Sequence, residues 1–493
     1  MTTLPATARA ILSRDPAQPA IEFEHRWYSW GELRAVADAV MQALDASGIA
    51  PGAPIAFIPR NHPAAIAALL ALIAQGRTIR MIYPFQSAEG IANTIARLEV
   101  AAVVLHQQDS APEVQACLTQ AGLTAVVLDG MAARALEGFA QGGAARHCTG
   151  PGTPQIEILT SGTTGPPKQF ALPYALLEAH FVATHLTKAQ GDDPAQAPPF
   201  MLYFPLGNIS GLYSTLPMLV RGQRLVLFER FSVAAWHDYV LRFRPVHSGV
   251  PPSCVQQVLD ADIPHADLAS IKAMGIGAAP LDPAVQRAFE ARYGIPILLS
   301  YGATEFAGPV AMMTAELHKD WGASKHGSVG RALPGAQLQV VDAETGAALP
   351  PGAQGLLQVV SPRIGPDWIK TADLAVLDAD GFLFLHGRAD GAIMRGGFKV
   401  LPETIESALN THPAVAESAV VGIADARLGQ VPAAAIRLRP GTAQPSEANL
   451  AAHLRRSLLA THVPTRWVFC AEIPRNPSLK VDRMAVRRLF EID

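Results

Sequence analysis

The chain has 493 residues, of which 49 % are hydrophobic and 16 % are charged, and its formal net charge is −3. This length exceeds what one hydrophobic core supports, so we expect two or more domains. The charge gives no electrostatic support for a nucleic-acid or membrane partner, and the 4 cysteines lie too far apart for a metal site or a disulfide framework. A reduced, cytoplasmic setting fits this cysteine usage.

The N-terminal region alternates segments of helical period with short apolar strands. Residues 29–46 predict a helix that Ser29 caps, with Glu32 completing a capping box. The alternation continues through strand 55–58, helix 63–74, helix 89–97, strand 101–105, helix 114–121 and strand 124–128. The apolar run 63–74 is shorter than the roughly 20 residues of a membrane span, which favours a buried helix and no stable membrane insertion. The alternation predicts an α/β fold with parallel sheets covered by helices.

The segment 387–390 separates this large region from a tail of about 100 residues, the size of a small domain. The tail predicts an α+β order of helix, strand, strand and helix at 403–409, 415–423, 433–438 and 447–459. We therefore expect an N-terminal domain over 1–386 and a C-terminal domain over 391–493. The tail carries 13 Lys and Arg against 9 Asp and Glu, a net charge of +4. Such a surface either is merely solvated or meets a polyanionic ligand.

The strongest local motif is LTSGTTGPPK at 159–168. Its glycines permit close backbone approach, and clustered N–H groups beside a lysine suit a phosphate. The spacing differs from the G-x4-G-K-[ST] loop of Walker A proteins. A loop of this composition, taken alone, is also typical of a surface turn. The residues that form the candidate phosphate loop are Thr160, Ser161, Gly162, Thr163, Thr164, Gly165 and Lys168.

Further candidate residues follow along the chain. Gly277, Ala278 and Ala279 are small enough to leave room for a flat ring. The motif YGATE at 301–305 follows an apolar strand at 295–299, and it offers an aromatic ring, a hydroxyl and a carboxylate where α/β sheets bind ligands. GSVGR at 327–331, TADL at 371–374, Arg388 and the motif PRNPSLK at 474–480 come later.

In this order and spacing, these motifs resemble those of the adenylate-forming superfamily, which includes acyl- and aryl-CoA synthetases, nonribosomal adenylation domains and firefly-type luciferases. The resemblance covers essentially the whole chain. It implies an enzyme that activates a small carboxylic acid with ATP and Mg2+ and then transfers the acyl group to the thiol of coenzyme A. It also implies a mobile C-terminal lid domain that rotates about a hinge at Asp390 between an adenylating and a thioester-forming pose.

The resemblance assigns roles residue by residue. The 160–168 loop and Thr304 would contact the phosphates of ATP, and Glu305 would hold Mg2+. Adenine would lie against Tyr301 and the segment 277–279, and the ribose hydroxyls would lie against Asp373 with Arg388 as companion. Lys480 would neutralise the carboxylate and the α-phosphate during adenylation. Gly396, Gly397 and Lys399 would lie near coenzyme A, although a Gly-Gly pair is equally typical of a hairpin turn.

The acyl pocket is expected to include Gly207, Asn208, Val250 and Pro251. Asn208 stands where many acyl-CoA synthetases have histidine, and Gly207 stands where an aromatic residue is common and opens space. The region lacks the Asp with which amino-acid-activating relatives pair the substrate ammonium. These features favour an aromatic or medium-length apolar acid over an amino acid.

Two alternatives remain open. An acyl-AMP ligase that loads an acyl carrier protein would share every adenylation motif. A non-catalytic nucleotide-binding protein is favoured by the departures from the family pattern at Asn208, Ala372, Met394 and Leu479. The retained charged residues favour the enzyme, and they are Lys168, Glu305, Asp373, Arg388 and Lys480.

Overall fold

The computed structural model describes residues 3–136, 153–160, 168–182, 197–395, 398–425, 428–476 and 480–491. Two compact units divide the chain. The first comprises Met1–Pro245 with Ala303–Gly308, and the second comprises Val246–Gly302 with Pro309–Asp493. The domain boundary expected at 387–390 lies inside the second unit and stays a prediction.

The first unit alternates helices and strands over most of its length. Its helices are α1 (Leu4–Leu12), α2 (Trp30–Ala46), α3 (Pro63–Ala74), α4 (Ala88–Arg97), α5 (Pro112–Ala121), α6 (Tyr174–Leu177), α7 (Ile209–Arg221) and α8 (Val233–Phe243). Its strands are β1 (Pro19–Phe23), β2 (Arg26–Ser29), β3 (Ile55–Phe57), β4 (Ile79–Met81), β5 (Ala102–His106), β6 (Thr124–Asp129), β7 (Ala132–Ala135), β8 (Gln155–Thr160), β9 (Lys168–Pro173), β10 (Phe200–Leu202) and β11 (Leu225–Leu227).

These strands form two sheets, with the orders β10-β11-β1-β2 and β7-β6-β5-β3-β4-β8-β9. In the larger sheet the central strands from β6 to β8 pair in parallel, and β7 and β9 are antiparallel at the edges. Every residue of α3 is buried, as the apolar run predicted. The capping box predicted for α2 is confirmed, because Ser29 accepts from the Glu32 amide and Glu32 accepts from the Ser29 amide.

The second unit is richer in antiparallel strands. Its helices are α9 (Pro252–Asp260), α10 (Pro283–Tyr293), α11 (Ala315–Trp321), α12 (Pro402–Asn410), α13 (Glu447–Leu454) and α14 (Arg483–Arg488). Its strands are β12 (His247–Gly249), β13 (Ala273–Ile276), β14 (Ile297–Ala303), β15 (Gly308–Met312), β16 (Arg331–Ala332), β17 (Gln337–Val341), β18 (Gln354–Val360), β19 (Ile369–Leu377), β20 (Leu383–Arg388), β21 (Ile393–Arg395), β22 (Phe398–Val400), β23 (Val415–Asp425), β24 (Gly429–Leu438) and β25 (Arg466–Phe469).

Three sheets organise the second unit. The first has the order β12-β13-β14-β15-β16, in which β12, β13 and β14 run parallel. The second, β17-β18-β19-β20, is antiparallel throughout. The third has the order β22-β21-β24-β23, and β25 pairs in parallel with β24. Apolar residues of α12 and α13 pack on one set of side chains of this third sheet. Val486 of α14 packs with a second set, which comes from β23 and β24.

The tail therefore has the predicted α+β character. The helix predicted at 447–459 ends earlier, at Leu454, so its C-terminal end was wrong. Past that point i to i+3 turns are mixed with the helical bonding, with the Ser457 amide donating to the Leu454 carbonyl at 3.1 Å, and Leu459 is 71 % exposed. None of the helices in the described ranges is long and apolar enough to cross a membrane.

Candidate functional site

The carboxyl ends of β12, β13 and β14 bring several predicted residues to one edge of a parallel sheet. The register pairs Gly249 with Gly275 and Ile276 with Leu299. Because parallel strands end at the same edge, the segments that follow them are neighbours. The predicted acyl-pocket residues Val250 and Pro251 follow β12 and are buried. The predicted adenine segment 277–279 follows β13, beside the end of β14.

Small residues are required at this edge. A Cβ at Gly277 would collide with the Ser300 hydroxyl oxygen, so a side chain at position 277 would displace that hydroxyl. Ala278 has a φ of 70°, in the left-handed region that residues with a Cβ rarely adopt. Backbone strain of this kind concentrates at ligand-binding sites. Both features agree with the role predicted for segment 277–279.

An aromatic ring, a carboxylate and a guanidinium from three strands, β14, β19 and β20, meet at one place. The Tyr301 hydroxyl donates to Asp373 Oδ2, and Arg388 Nη1 lies 3.2 Å from Asp373 Oδ1. Asp373 and Arg388 are paired residues on β19 and β20, so the sheet register aligns them. Burial, and then the Asp373 carboxylate, raise the pKa of Tyr301 far above its usual value, so the hydroxyl stays protonated and donates. The sequence predicted all three residues, and the structure brings them together.

The residues predicted for phosphate and metal binding belong to the first unit. Thr160 ends β8 and Lys168 begins β9, and the two are paired across the antiparallel ladder. Residues 161–167, which include Ser161, Gly162, Thr163, Thr164 and Gly165, lie outside the described residues, as do the side chains of Thr160 and Lys168.

Thr304 and Glu305 share one 3-10 turn, Thr304–Phe306, and Glu305 is exposed. Within the described ranges, no group of three or more His, Cys, Asp and Glu side chains is arranged to hold a metal ion. A single carboxylate such as Glu305 fits Mg2+ bound mainly by substrate phosphates and water, rather than by an all-protein cage. The residues present therefore suit a metal that arrives with ATP.

Asn208 has a local structural role that the sequence did not reveal. It caps α7, and its Oδ1 accepts a hydrogen bond of 2.8 Å from the Gly211 amide. The space expected beside Gly207 is partly filled, because a Cβ there would lie 3.3 Å from Pro59 Cγ. Whether Gly207 and Asn208 line an acyl pocket stays a prediction.

The predicted hinge and the predicted coenzyme A segment lie on either side of β21. Asp390 belongs to the 3-10 turn Ala389–Gly391, directly after β20. Lys399 pairs with Met394 in the β21–β22 ladder, and Arg395 pairs with Phe398. Gly396 and Gly397 lie outside the described residues, as do the side chains of Asp390 and Lys399. Their roles stay predictions.

The motif GSVGR proves to be structural. The buried Ser328 hydroxyl donates to the Leu383 carbonyl at 2.8 Å and accepts from the Gly330 amide at 3.0 Å. Gly330 has a φ of 85°, and a Cβ there would collide with the Met312 carbonyl group. The motif thus joins the segment after α11 to β20 and to the edge of the sheet that ends in β16.

We expect Gly330→Ala to lower the free energy of unfolding by about 3 kcal/mol or more, because backbone strain adds to a backbone collision. Gly346→Ala is the matched control. Gly346 has a similar φ of 72°, but a Cβ there would meet nothing within 4 Å, so its cost is only the strain of about 1 kcal/mol. Thermal unfolding midpoints measure both. Equal shifts in the two variants would contradict the predicted collision.

A cluster of carboxylates and arginines lies where α12, β23 and α14 meet. Glu406 Oε1 accepts from the Val420 amide at 2.7 Å and lies 3.4 Å from Arg483 Nη1. Burial raises the pKa of Glu406 to about 7, with Glu403 and Glu417 adding to the effect and Arg483 opposing it. Between pH 4.5 and about pH 7, the folded protein therefore holds a proton on Glu406 that the unfolded chain has released.

The contribution of Glu406 to stability should accordingly be full below the unfolded pKa of 4.5 and lost as pH rises through about 7. Relative to Glu406→Gln, which titrates nowhere in this range, the wild type should lose about 2 kcal/mol between pH 5 and pH 8. Unfolding midpoints of both proteins at the two pH values test this. A difference between them that does not change with pH would contradict it.

Comparison with known proteins decides the family. A family model described as AMP-binding enzyme matches residues 8–366. The chain belongs to this family. A second model, described as AMP-binding enzyme C-terminal domain, matches residues 404–480 and ends at Lys480.

Similar proteins and a solved structure agree with this assignment. A sulfoacetate–CoA ligase of Cupriavidus necator is 30 % identical over 482 residues, which cover 92 % of this chain and 91 % of that protein. A 2-succinylbenzoate–CoA ligase of Bacillus mycoides is 28 % identical over 511 residues, covering 100 % of each chain. The crystal structure of ATP-bound MatB from Rhodopseudomonas palustris has the same fold, with a TM-score of 0.79 at 24 % identity over 99 % of each chain.

The predicted α/β fold with a large N-terminal and a smaller C-terminal domain is thereby confirmed. So is the predicted activity of this AMP-binding enzyme, which is an AMP-forming acid–thiol ligase that uses ATP, Mg2+ and coenzyme A. Its substrate is a small-molecule acid.

Several polar residues of the second unit that form ion pairs near Lys480 were not predicted from the sequence. Glu403 and Glu406 lie three positions apart on α12, and Arg475 and Arg483 flank Lys480. The spacing of the two acids on one helix face was the available signal, but it is common on solvated helices. Their arginine partners are distant in sequence, so only the fold reveals the pairing.

Proposed function

We propose that this AMP-binding enzyme forms an acyl-adenylate at the Tyr301–Asp373–Arg388 cluster and then transfers the acyl group to coenzyme A. The observation that carries the proposal is the contact of these three side chains, which come from β14, β19 and β20. An aromatic face stacks on a flat base, and a carboxylate accepts hydrogen bonds from ribose hydroxyls. This combination suits a nucleoside.

In the first half-reaction, the carboxylate of the acid attacks the α-phosphate of ATP and pyrophosphate leaves. Asp373 holds the ribose and Tyr301 holds the base, so the α-phosphate is fixed relative to the acid. Lys480 supplies a positive charge that offsets the negative charge developing on the transferring group. Mg2+ on Glu305 would neutralise charge on the phosphates.

In the second half-reaction, the thiol of coenzyme A attacks the acyl carbonyl and AMP leaves. The C-terminal domain, 391–493, rotates about Asp390, which withdraws Lys480 and presents the 395–399 segment. A hinge needs only a few residues that absorb the change in φ and ψ, and Asp390 lies in a short turn between two strands. No side-chain nucleophile is required in either step.

The identity of the acid is the open part of this function. The two named relatives act on a sulfonated acid and on an aromatic acid with a succinyl group. Acid-dependent ATP–pyrophosphate exchange, measured with sulfoacetate, 2-succinylbenzoate and a series of aryl and straight-chain acids, separates these classes. Exchange with at least one class supports the proposal, and no exchange with any of them overturns it.

An acyl carrier protein is the second possible acceptor, since adenylation itself does not distinguish the two thiols. Coenzyme A is the acceptor named in both relatives. The mildly basic C-terminal tail suits the phosphates of coenzyme A. A cytoplasmic location is part of the same proposal, and it is supported by Cys117, Cys254 and Cys470, which form no disulfide within the described part of the chain.

A further inference from the structure

The segment that carries Lys480 is closed on itself by backbone bonds. Arg475, before Lys480, and Val481, after it, form an antiparallel bridge, and the Asp482 amide donates to the Pro474 carbonyl at 2.9 Å. The Asn476 amide donates to the Lys480 carbonyl at 2.7 Å, and the Lys480 amide donates to Asn476 Oδ1 at 3.0 Å. These bonds fix the backbone of Lys480 to that of Asn476. Residues 477–479 lie outside the described part of the chain.

Two arginines attach this segment to carboxylates of other elements. Arg475 donates to Glu417 on β23, which also lies 3.5 Å from Arg437. Arg483, at the start of α14, donates to Glu403 Oε1 at 2.8 Å and to the Val420 carbonyl at 2.6 Å. One arginine thus precedes Lys480 and one follows it, and each is paired with a carboxylate that is mostly buried.

Glu403 also lies close to the end of β20. A Cβ at Gly387 would lie 2.6 Å from Glu403 Oε2, so the glycine allows this carboxylate to contact the end of β20. Gly387 has a φ of 108°, which disfavours any other residue there. Gly387 directly precedes Arg388, the partner of Asp373. Glu403 therefore lies between Arg483 and the strand that carries Arg388.

We infer that Arg475 and Arg483 are positioning residues for Lys480, and that their carboxylate partners Glu417 and Glu403 hold the two arginines in place. This inference rests on the proposed role of Lys480 in adenylation. A lysine on a mobile side chain offsets charge at the transferring phosphoryl group only if its backbone is held within a fraction of an ångström of one place. Misplacement by about 1 Å costs on the order of 100-fold in rate.

The consequence is specific to one half-reaction. Loss of either arginine should lower the maximal rate of ATP–pyrophosphate exchange by about 10- to 100-fold. The KM for ATP should stay within about twofold, because Arg475 pairs with Glu417 and Arg483 with Glu403, outside the proposed nucleoside site, and transition-state effects appear in kcat. Thioester formation from preformed acyl-adenylate should be unchanged, because Lys480 takes no part in it.

The experiment compares Arg475→Ala, Arg483→Ala, Arg483→Lys, Lys480→Ala and wild type in both half-reactions. Arg483→Lys should recover most of the exchange rate, because an ammonium still reaches Glu403. Arg488→Ala is the matched control, since Arg488 is an exposed arginine on the same helix, and it should behave as wild type. If Arg483→Ala does not fold, Arg483→Lys and Glu403→Gln carry the test.

The outcomes separate this inference from the proposed function. Normal exchange in Lys480→Ala would overturn the role of Lys480 and the inference with it. Loss of exchange in Lys480→Ala together with normal exchange in Arg475→Ala and Arg483→Ala would overturn the inference alone. An equal loss in both half-reactions would show that the arginines only stabilise the fold, and would also overturn it.

Discussion

Replacing Lys480 by alanine is expected to lower acid-dependent ATP–pyrophosphate exchange by about 100- to 1,000-fold. Lys480 is the residue of the C-terminal domain that we propose to offset the negative charge on the transferring phosphoryl group, and the substitution removes its ammonium. The backbone bonds between Lys480 and Asn476 survive the substitution, so the segment keeps its path. Thioester formation from preformed acyl-adenylate should stay within about twofold of the wild-type rate, because the charge on the α-phosphate no longer develops in that step.

Lys319→Ala is the control for this prediction. Lys319 is an exposed lysine on α11 of the same unit, so the substitution removes the same charge from an ordinary surface. Both half-reactions should then match the wild type. A similar fall in the two half-reactions of Lys480→Ala would contradict the division of labour between the two poses.

The second large effect is expected at Asp373. Asp373→Asn keeps the shape of the side chain but removes the charge that accepts from Tyr301 and pairs with Arg388. Hydrogen bonds to a charged acceptor contribute about 1.5–3 kcal/mol each. Losing the charge under both ribose hydroxyls should therefore raise the KM for ATP by about 100-fold, with the KM for the acid nearly unchanged. Initial rates of exchange at varied ATP and varied acid measure the two constants.

Tyr301→Phe separates the ring from the hydroxyl. The aromatic face remains, and Asp373 loses one donor but keeps Arg388, so the KM for ATP should rise by only about tenfold, the effect of one hydrogen bond. A KM for ATP that is unchanged in Asp373→Asn would contradict the placement of the ribose. An effect of Tyr301→Phe larger than that of Asp373→Asn would contradict the assigned order of importance.

The helices that local signals define were predictable from sequence. The apolar run of α3, with proline at its first position, and the capping box of α2 need no tertiary information. Strands of three residues, such as β21 and β22, are too short to show an alternation, and the sequence analysis missed them. The end of α13 was misplaced because Arg455–Leu459 continues the helical composition while Leu459 no longer faces the core.

The candidate site divides in the same way. Motif order pointed to Tyr301, Asp373 and Arg388 individually. Arg388 meets Asp373 through the register of β19 with β20, and Tyr301 reaches Asp373 from β14, 72 positions earlier in the chain. The pairing of Arg483 with Glu403 spans 80 residues and has no local signature. Ser328 and Gly330 show the converse, since the contacts of this motif in the structure are packing and backbone hydrogen bonds.

The most direct test of the central claim is a product analysis with the wild-type enzyme. The enzyme is incubated with ATP, Mg2+, coenzyme A and the acid that supports exchange, and the products are identified by mass spectrometry and nucleotide chromatography. We expect acyl-CoA, AMP and pyrophosphate in equal amounts, with acyl-adenylate accumulating when coenzyme A is omitted. Formation of ADP and phosphate, or of AMP with no acyl-CoA, would contradict it.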